Sequence, residues 1–216
     1  MEKMNLVTKK LEILGESFQI TNQRVLFWDK ESALILSDLH VGKSAFFRKN
    51  GIALPSGILE NDIHRLHFLL DFFSAKKLII NGDLLHAGSN SEVEFFCKWR
   101  KSVAVEFHLI MGNHDRLTEE ISQNLGLNSQ QKILEMGDFC FVHDFEKGLD
   151  KFQITGHIHP GILLKSRIKN LRLPCFVVTN QQLLLPAFSE FTGLDTENIP
   201  SPAKYFAFTE DEIFEI

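Results

Sequence analysis

The chain contains 216 residues, of which 44% are hydrophobic and 24% are charged, and its formal net charge is −5. These proportions are typical of a globular protein and predict a single domain over residues 1–216 with a substantial core. The negative net charge excludes a polycation, so any attraction for nucleic acid must come from local patches or from bound metals.

Cysteine usage and hydropathy indicate a cellular compartment. Cys97, Cys140 and Cys175 are isolated in the sequence, which argues against a disulfide framework and favours a reducing compartment. The first residues lead into mixed polar sequence without an apolar signal segment, and no stretch approaches the length of a membrane span. These features predict a soluble cytoplasmic protein without membrane contact.

The first half of the chain alternates predicted strands and helices. β-favouring residues over 18–28 predict a hairpin, which leads into a buried strand at Ala33–Leu36. A basic and aromatic segment at 41–51 is expected to form a helical turn or a loop. Helices are then predicted over 54–74, 89–101 and 117–125, and strands over 77–81 and 103–111.

The second half is predicted to be mostly strand. It begins with a hairpin of 132–136 and 139–143, followed by strands at 152–155, 162–165, 172–179, 183–186, 204–208 and 212–216. Helices early and strands late predict an α/β fold, a two-sheet β-sandwich flanked by helices, with parallel βαβ units in the first half.

Polar side chains follow five of the predicted strands. Asp38 and His40 close the first, and they should project to the same side because side chains in a strand alternate. Ligands of open α/β sheets gather outside the carboxyl ends of strands. The full set contains only oxygen and imidazole donors, which suit a divalent metal: Asp38 and His40, Asp83, Asn113 with His114, His143, and His157 with His159.

Seven of these residues divide into two ligand sets that share one carboxylate. One ion is assigned to Asp38, His40, Asp83 and His159, and the other to Asp83, Asn113, His143 and His157. Two cations about 3.5–4 Å apart form the clamp that hydrolyses phosphate esters. Each motif alone has a structural alternative, such as a turn or a solvated histidine, but recurrence at five strand ends favours the metal pair. Gly82, Gly112 and Gly156 each precede a ligand and suit a sharp turn or a close backbone approach.

The order of these motifs closely resembles the calcineurin-like metallophosphoesterases. More narrowly, the chain resembles the bacterial ligase-associated DNA damage response endonucleases (the PdeM family) over about residues 18–193. The motifs that carry the resemblance include 37–43, 47–52, 82–86, 113–116, 156–160 and 171–176. Ser189 and Leu194 stand where that family usually has glycine, and both lie outside the predicted ligands.

The resemblance implies hydrolysis by a water or hydroxide between two metals. It implies that His114 is a general acid or stabilises the leaving group. Asp115 is expected to hydrogen-bond that imidazole, to cap the following helix, or both. Carboxylate and amide oxygens favour Mn or Mg, and imidazoles favour Zn, Fe or Mn. Mn²⁺ satisfies both tendencies and agrees with the family.

Several functions remain open at this point. The first is a Mn-dependent DNA endonuclease or phosphodiesterase of DNA repair, associated by resemblance with an ATP-dependent DNA ligase and a helicase. The second is a phosphoesterase for nucleotides or for cyclic or dinucleotide substrates, and the third is a non-catalytic scaffold, which the intact ligand set disfavours. Candidate substrate-binding residues are Lys43, Arg48, Lys49, His86 and Arg116, with Phe46 and Phe47 available for stacking on bases. The alternative for these charges is a solvated surface.

Overall fold

The structure, a computed structural model, describes residues 4–55, 57–86, 88, 90–165 and 169–216. Its first sheet contains seven strands in the spatial order β1-β2-β3-β4-β5-β6-β7. Neighbours from β1 to β4 pair antiparallel, whereas β4 to β7 run parallel. The strands are β1 Thr8–Ile13, β2 Glu16–Thr21, β3 Leu26–Trp28, β4 Ala33–Leu36, β5 Lys77–Asn81, β6 Glu106–Ile110 and β7 Ser129–Gln131.

The second sheet is built from the later part of the chain. Its order is β15-β14-β12-β13-β10-β9-β8, and β11 pairs with β12 outside this path. Strands β9 and β13 both run parallel to β10. The strands are β8 Ile133–Met136, β9 Phe139–Val142, β10 Phe152–Thr155, β11 Gly161–Lys165, β12 Asn170–Val178, β13 Gln182–Leu184, β14 Lys204–Phe208 and β15 Ile213–Glu215.

Four helices are described, and all four lie in connections between parallel strands of the first sheet. They are α1 Lys43–Lys49, α2 Ile58–Phe72, α3 Ser91–Lys101 and α4 Glu119–Leu125. Helix α2 joins β4 to β5, and α3 joins β5 to β6. The Asn90 side chain accepts hydrogen bonds from the first amides of α3, which satisfies donors that have no partner inside the helix. No described helix has the length and apolar character needed to cross a membrane.

Strand β4 shows how the core is divided. Ala33 and Ile35 pack in the space between the two sheets, whereas Leu34 and Leu36 pack between the first sheet and the helices. Because successive side chains point to opposite faces, a strand buried on both faces needs a continuous apolar run. This is the run that the sequence shows.

The predicted two-sheet α/β sandwich with parallel βαβ units is confirmed, and so are both predicted hairpins. Strands β1 and β7 were not predicted, because half of the residues in β1 are charged and β7 has the sequence Ser-Gln-Gln. The 41–51 segment contains helix α1. Helix α2 begins at Ile58, after a left-handed Gly57, and α3 begins at Ser91. The predicted starts of these two helices extend over Ser56 and Ser89, which lie outside the described residues.

Candidate metal centre

The candidate centre lies where the carboxyl ends of strands from both sheets meet. The last residue of β5, Asn81, donates hydrogen bonds to the carbonyls of Val142 at 3.0 Å and Ile154 at 2.9 Å. One buried amide thereby joins β5 to β9 and β10. The loops after all three strands are brought to the same edge of the sandwich.

The loop after β4 positions the first two predicted ligands, but not as expected. Strand β4 ends at Leu36, and Asp38 and His40 have left-handed backbone with φ of 57° and 50°. The two side chains do come together, but the predicted reason, the alternation of side chains along a strand, is wrong. The loop instead pairs with the loop after β5: the amides of Asp38 and His40 donate to the carbonyls of Gly82 at 3.1 Å and Asp83 at 2.9 Å.

Left-handed backbone is concentrated at this site. Among the described residues, nine non-glycine residues have positive φ, and five of them are predicted ligands. Each such conformation costs of order 1 kcal/mol in a residue with a Cβ, so it persists only where the surrounding structure imposes it. The five residues are Asp38, His40, Asp83, His157 and His159.

Six of the seven predicted ligands form two candidate metal clusters. The first contains Asp38, His40 and His159, and the second contains Asp83, His143 and His157. Within each cluster the ligand atoms all lie within 4.8 Å of one another. His159 Nε2 is 3.1 Å from Asp38 Oδ1 in the first, and His143 Nε2 is 3.4 Å from Asp83 Oδ1 in the second.

Asp83 faces both clusters. Its Oδ1 lies near His143, while its Oδ2 is 4.0 Å from His40 Nε2 in the first cluster. The amide of His114 also donates to Asp83 Oδ1 at 2.9 Å, which holds the loop after β6 against the same carboxylate. The remaining predicted ligand, Asn113, is the exposed residue before His114 on that loop. The arrangement is that of a carboxylate able to bridge two ions.

The polar atoms of the site fit a metal pair. His40 Nδ1 and Nε2, His143 Nε2 and Asp38 Oδ1 are buried without a hydrogen-bond partner among the described residues. Leaving such an atom unsatisfied costs about 1–3 kcal/mol, and a cation removes that cost. His143 Nδ1 lies 3.0 Å from the Asn81 carbonyl and donates to it, so in the neutral imidazole the lone pair available to a ligand is on Nε2.

The buried charges influence one another strongly. Burial lowers the pKa of His40 to about 4, although Asp38 and Asp83 favour its protonated form. Burial also disfavours protonation of His143, but Asp83 and Asp38 raise its pKa to about 9. Burial opposes ionisation of Asp83, yet His143 and the His114 amide hold its pKa below the ordinary value. His40 is therefore neutral at pH 7, and a metal that binds His143 must displace a proton.

The three glycines before the ligands make the expected close approaches. A Cβ at Gly82 would lie 2.0 Å from His143 Nδ1, and one at Gly112 would lie 2.2 Å from the Asp83 backbone nitrogen. A Cβ at Gly156 would lie 1.8 Å from the Ser37 hydroxyl. Gly82 also has φ of +91°, which residues with a Cβ rarely adopt.

His114 lies at the open side of the centre. Its side chain is 51% exposed, and Nε2 is 4.0 Å from Asp83 Oδ2.

Both predictions for Asp115 are wrong. Its oxygens accept hydrogen bonds from the amides of Leu85 and Gly112, each at 2.8 Å, and Thr118 caps α4. Asp115 therefore joins the loops after β5 and β6.

The predicted substrate-binding residues are not all available. Arg48 Nη2 is 2.6 Å from Glu92 Oε1, so this cation fastens α1 to α3. Burial lowers the pKa of Lys43, with Asp38 and Asp83 acting in the opposite direction, which places its ammonium in the field of the centre. Lys49 and Arg116 are exposed, and no polar partner is found for them among the described residues.

The fifth predicted residue, His86, is packed in a column of rings. It stacks on Phe47 at 6.1 Å between ring centroids and on His114 at 5.4 Å. Two further residues of the site were not recognised in the sequence: Asn81, which joins the sheets, and Ser37, whose hydroxyl lies within hydrogen-bond distance of both Asp38 and the Asn81 carbonyl. The signal for Asn81 was a polar residue at the end of an apolar run.

Comparisons with known proteins show which family and which solved structures this chain resembles. The family model for calcineurin-like phosphoesterases matches residues 32–165. The crystal structure of Pseudomonas putida nuclease MPE has a TM-score of 0.83 and 28% sequence identity, covering 97% of this chain and 100% of that chain. The structure of AQ665 from Aquifex aeolicus, a protein of unknown function, has a TM-score of 0.43 and 17% identity over 59% of this chain and 78% of that chain. A comparison with curated protein sequences gave no significant match. The chain belongs to the calcineurin-like phosphoesterase family and is a metal-dependent phosphoester hydrolase.

Proposed function

We propose that this enzyme is a two-metal phosphodiesterase that cleaves DNA as an endonuclease and uses Mn²⁺. The observation that carries the proposal is Asp83, whose two oxygens face two separate donor clusters. The preference for DNA is supported by the likeness over nearly the whole chain to a structure described as a nuclease. A single domain over residues 1–216, a cytoplasmic location, and a place in DNA repair beside an ATP-dependent ligase and a helicase belong to the same proposal.

The metal ligands in this proposal are the seven predicted residues. Asp38, His40 and His159 would hold one ion, His143, His157 and Asn113 would hold the other, and Asp83 would be shared by both sites. Two cations bound there would supply a hydroxide nucleophile at neutral pH and would neutralise phosphoryl oxygens as charge develops. The mixture of carboxylate, amide and imidazole donors without thiolate suits Mn²⁺, and Fe, Zn and Mg are compatible with most of the same donors.

His114 is the proposed general acid. It is exposed, close to the bridging carboxylate and not needed to complete either cluster, so its imidazole can reach a bound phosphodiester. Protonation of the leaving oxygen by a positioned side chain typically contributes about 10²–10⁴ in rate. Asp115 supports this role indirectly, because it holds the loop that carries His114.

The binding of DNA involves residues around the opening. We assign a contact with a phosphate oxygen to Lys43, and the support is that its ammonium lies in the field of Asp38 and Asp83. His86 lies between His114 and Phe47 and borders the same space. Arg48 is not part of this surface, since its charge is already paired with Glu92. Lys49 and Arg116 remain candidates for contacts with the backbone.

A side-by-side assay with Mn²⁺ tests the substrate. The substrates are closed circular plasmid, a single-stranded oligonucleotide, cyclic nucleotides, dinucleotides and an aryl phosphodiester. Nicking of the closed circle is expected, because a circle offers no ends to an exonuclease. Cleavage of the small substrates alone, at efficiencies far above any DNA, would replace the proposal with a nucleotide phosphoesterase.

The variant His114→Ala tests the mechanism. It should retain bound Mn²⁺ and the parent's melting temperature while losing about 10²–10⁴ in DNA cleavage. His67→Ala, which removes a half-exposed histidine of α2, is the matched control. A His114→Ala enzyme that cuts DNA within a few-fold of the parent would remove this residue from the mechanism.

A further inference from the structure

The hairpin formed by β11 and β12 concentrates positive charge beside the candidate metal centre. Over residues 161–174 the sequence contains four basic residues and no acidic residue, in a chain whose net charge is −5. Residues 166–168 lie outside the described part of the chain. The cations that the structure places on this hairpin and that carry the inference are Lys165 and Arg172.

These two cations share one face of the hairpin. Leu163 pairs with Arg172, and Lys165 pairs with Asn170. Directly paired residues lie on the same face, and so do residues two apart along a strand. Both cations are exposed, and neither forms an ion pair or hydrogen bond with any described residue. They differ in this respect from Arg48, whose charge Glu92 neutralises.

The hairpin starts at the metal centre itself. Strand β11 begins two residues after His159, a member of the first cluster. The segment 193–198 is bonded alongside: the Asp195 amide donates to the His159 carbonyl at 3.0 Å, and the Gly161 amide donates to the Asp195 carbonyl at 2.8 Å. Between this segment and the hairpin lies a groove of about 440 Å³ that is lined by Ile158, His159 and Arg172.

The spacing matches a polymer rather than a small substrate. Arg172 pairs with the fourth residue after His159, and Lys165 is the sixth residue after it. At about 3.3 Å per residue these positions are roughly 13 Å and 20 Å along the strand from His159. A mononucleotide at the metals would not extend to Lys165, whereas a strand several nucleotides long would pass both cations.

The groove also contains two acidic residues, Asp195 and Glu197, and only Glu197 has a carboxylate free to repel an anion. The Asp195 carboxylate accepts hydrogen bonds from the Glu197 and Asn198 amides and from the Asn198 side chain, at 2.8 to 2.9 Å, and so closes its own turn. Glu197 is exposed on the wall opposite Arg172. A polyanion in this groove is therefore drawn toward the hairpin wall.

We propose that this hairpin binds the phosphate backbone of a DNA strand as it leaves the metal centre, with Arg172 in the groove and Lys165 farther out. The assignment rests on the proposed DNA-cleaving function. Contacts from unpaired cations to phosphates raise affinity without reading sequence. The hairpin should therefore set the preference for long over short phosphodiesters, and it should leave the hydrolysis of a small aryl phosphodiester unchanged.

The test compares two double variants that remove the same charge. Lys165→Ala with Arg172→Ala removes the hairpin cations. Lys10→Ala with Lys98→Ala removes two exposed cations from β1 and from the last turn of α3. Binding of a fluorescent 20-nucleotide strand to the Mn²⁺-loaded proteins is measured by anisotropy across a salt series, in the His114→Ala background to prevent cleavage. Hydrolysis of a dinucleotide and of an aryl phosphodiester is measured in the unmodified background.

The hairpin variant should bind the strand about five- to thirtyfold more weakly than the control pair. Its salt slope should fall by about two, one for each lost phosphate contact. Aryl ester hydrolysis should stay within about twofold, as expected for a substrate too short to reach the hairpin cations, and dinucleotide hydrolysis should fall less than strand binding. Glu197→Gln should act in the opposite direction and tighten strand binding.

Three results would overturn the assignment in distinguishable ways. If the hairpin variant binds the strand as tightly as the control pair while the parent cuts DNA, the hairpin is not the binding surface. If aryl ester hydrolysis falls in parallel with strand binding, the substitutions have disturbed the metal centre instead. If the parent hydrolyses the aryl ester but neither binds nor cuts DNA, the proposed function fails and the assignment fails with it.

Discussion

Replacing Gly112 with alanine tests whether the position of Asp83 organises the metal centre. The new Cβ would lie 2.2 Å from both the backbone nitrogen and Oδ1 of Asp83. Ordinary contacts of a Cβ begin at 3.4 Å, so Asp83 must move by about 1.2 Å, the difference between these two distances. Gly112 does not have positive φ, so the added methyl group acts through this collision and not through backbone strain.

The expected effects are large for so small a group. Overpacking in a close-packed site costs about 1–3 kcal/mol, which corresponds to a melting temperature lowered by roughly 2–12 °C for a chain of this size. A displacement of about 1 Å at a reacting centre costs about 100-fold in rate. Since Asp83 faces both clusters, occupancy of both metals should fall together.

Three measurements check this prediction. Elemental analysis after dialysis against Mn²⁺ gives metal occupancy, thermal denaturation gives stability, and aryl phosphodiester hydrolysis gives the rate. Gly88→Ala is the matched control, because a Cβ there meets nothing within 4 Å and the backbone does not have positive φ. A Gly112→Ala protein that binds two Mn²⁺ per chain and hydrolyses at the parent's rate would refute the bridging role of Asp83.

Three further predictions concern metal, packing and pH. Mn²⁺ at about 100 times its Kd should stabilise the fold by about 2.7 kcal/mol per site and so raise the melting temperature. A chelator should reverse this rise, and a melting temperature that does not respond to Mn²⁺ would contradict the two metal sites. Arg65→Lys should lower the free energy of unfolding in urea by about 1–3 kcal/mol, because Arg65 donates to Asp62, Glu190 and the Phe188 carbonyl at once. A decrease below about 0.5 kcal/mol, which is the ordinary range for surface substitutions, would show that a lysine ammonium can replace the guanidinium. Burial raises the pKa of Cys175 to about 12, whereas an unfolded thiol ionises near about 8.5. The folded state therefore keeps a proton that the unfolded state loses, and stability should fall as pH rises above about 9. Cys175→Ala should weaken that fall in urea titrations, and an unchanged pH dependence would contradict the assigned pKa.

The sequence by itself determined the two-sheet architecture and the chemistry of the centre. Ala33–Leu36 is apolar throughout because both of its faces are buried, and a run of this kind is visible without coordinates. The donors follow such runs in chain order, because parallel strands present their carboxyl ends at one edge. The donor types also indicated that a carboxylate is shared, since only a carboxylate offers two oxygens to two ions. The structure supports Asp83 in this role, because its two oxygens face the two clusters.

Only the tertiary structure decided the local geometry of the site and the availability of its charges. Asp38 and His40 converge through left-handed loop backbone bonded to the loop after β5, and strand alternation gave the wrong cause. Arg48 is neutralised by Glu92, and Asp115 accepts from the Leu85 amide, 30 residues earlier in the chain. The physical reason is the same in each case. Residue type and spacing specify what a side chain can do, whereas its partner is chosen by distance in space, and that distance exists only after the sheets and loops have packed.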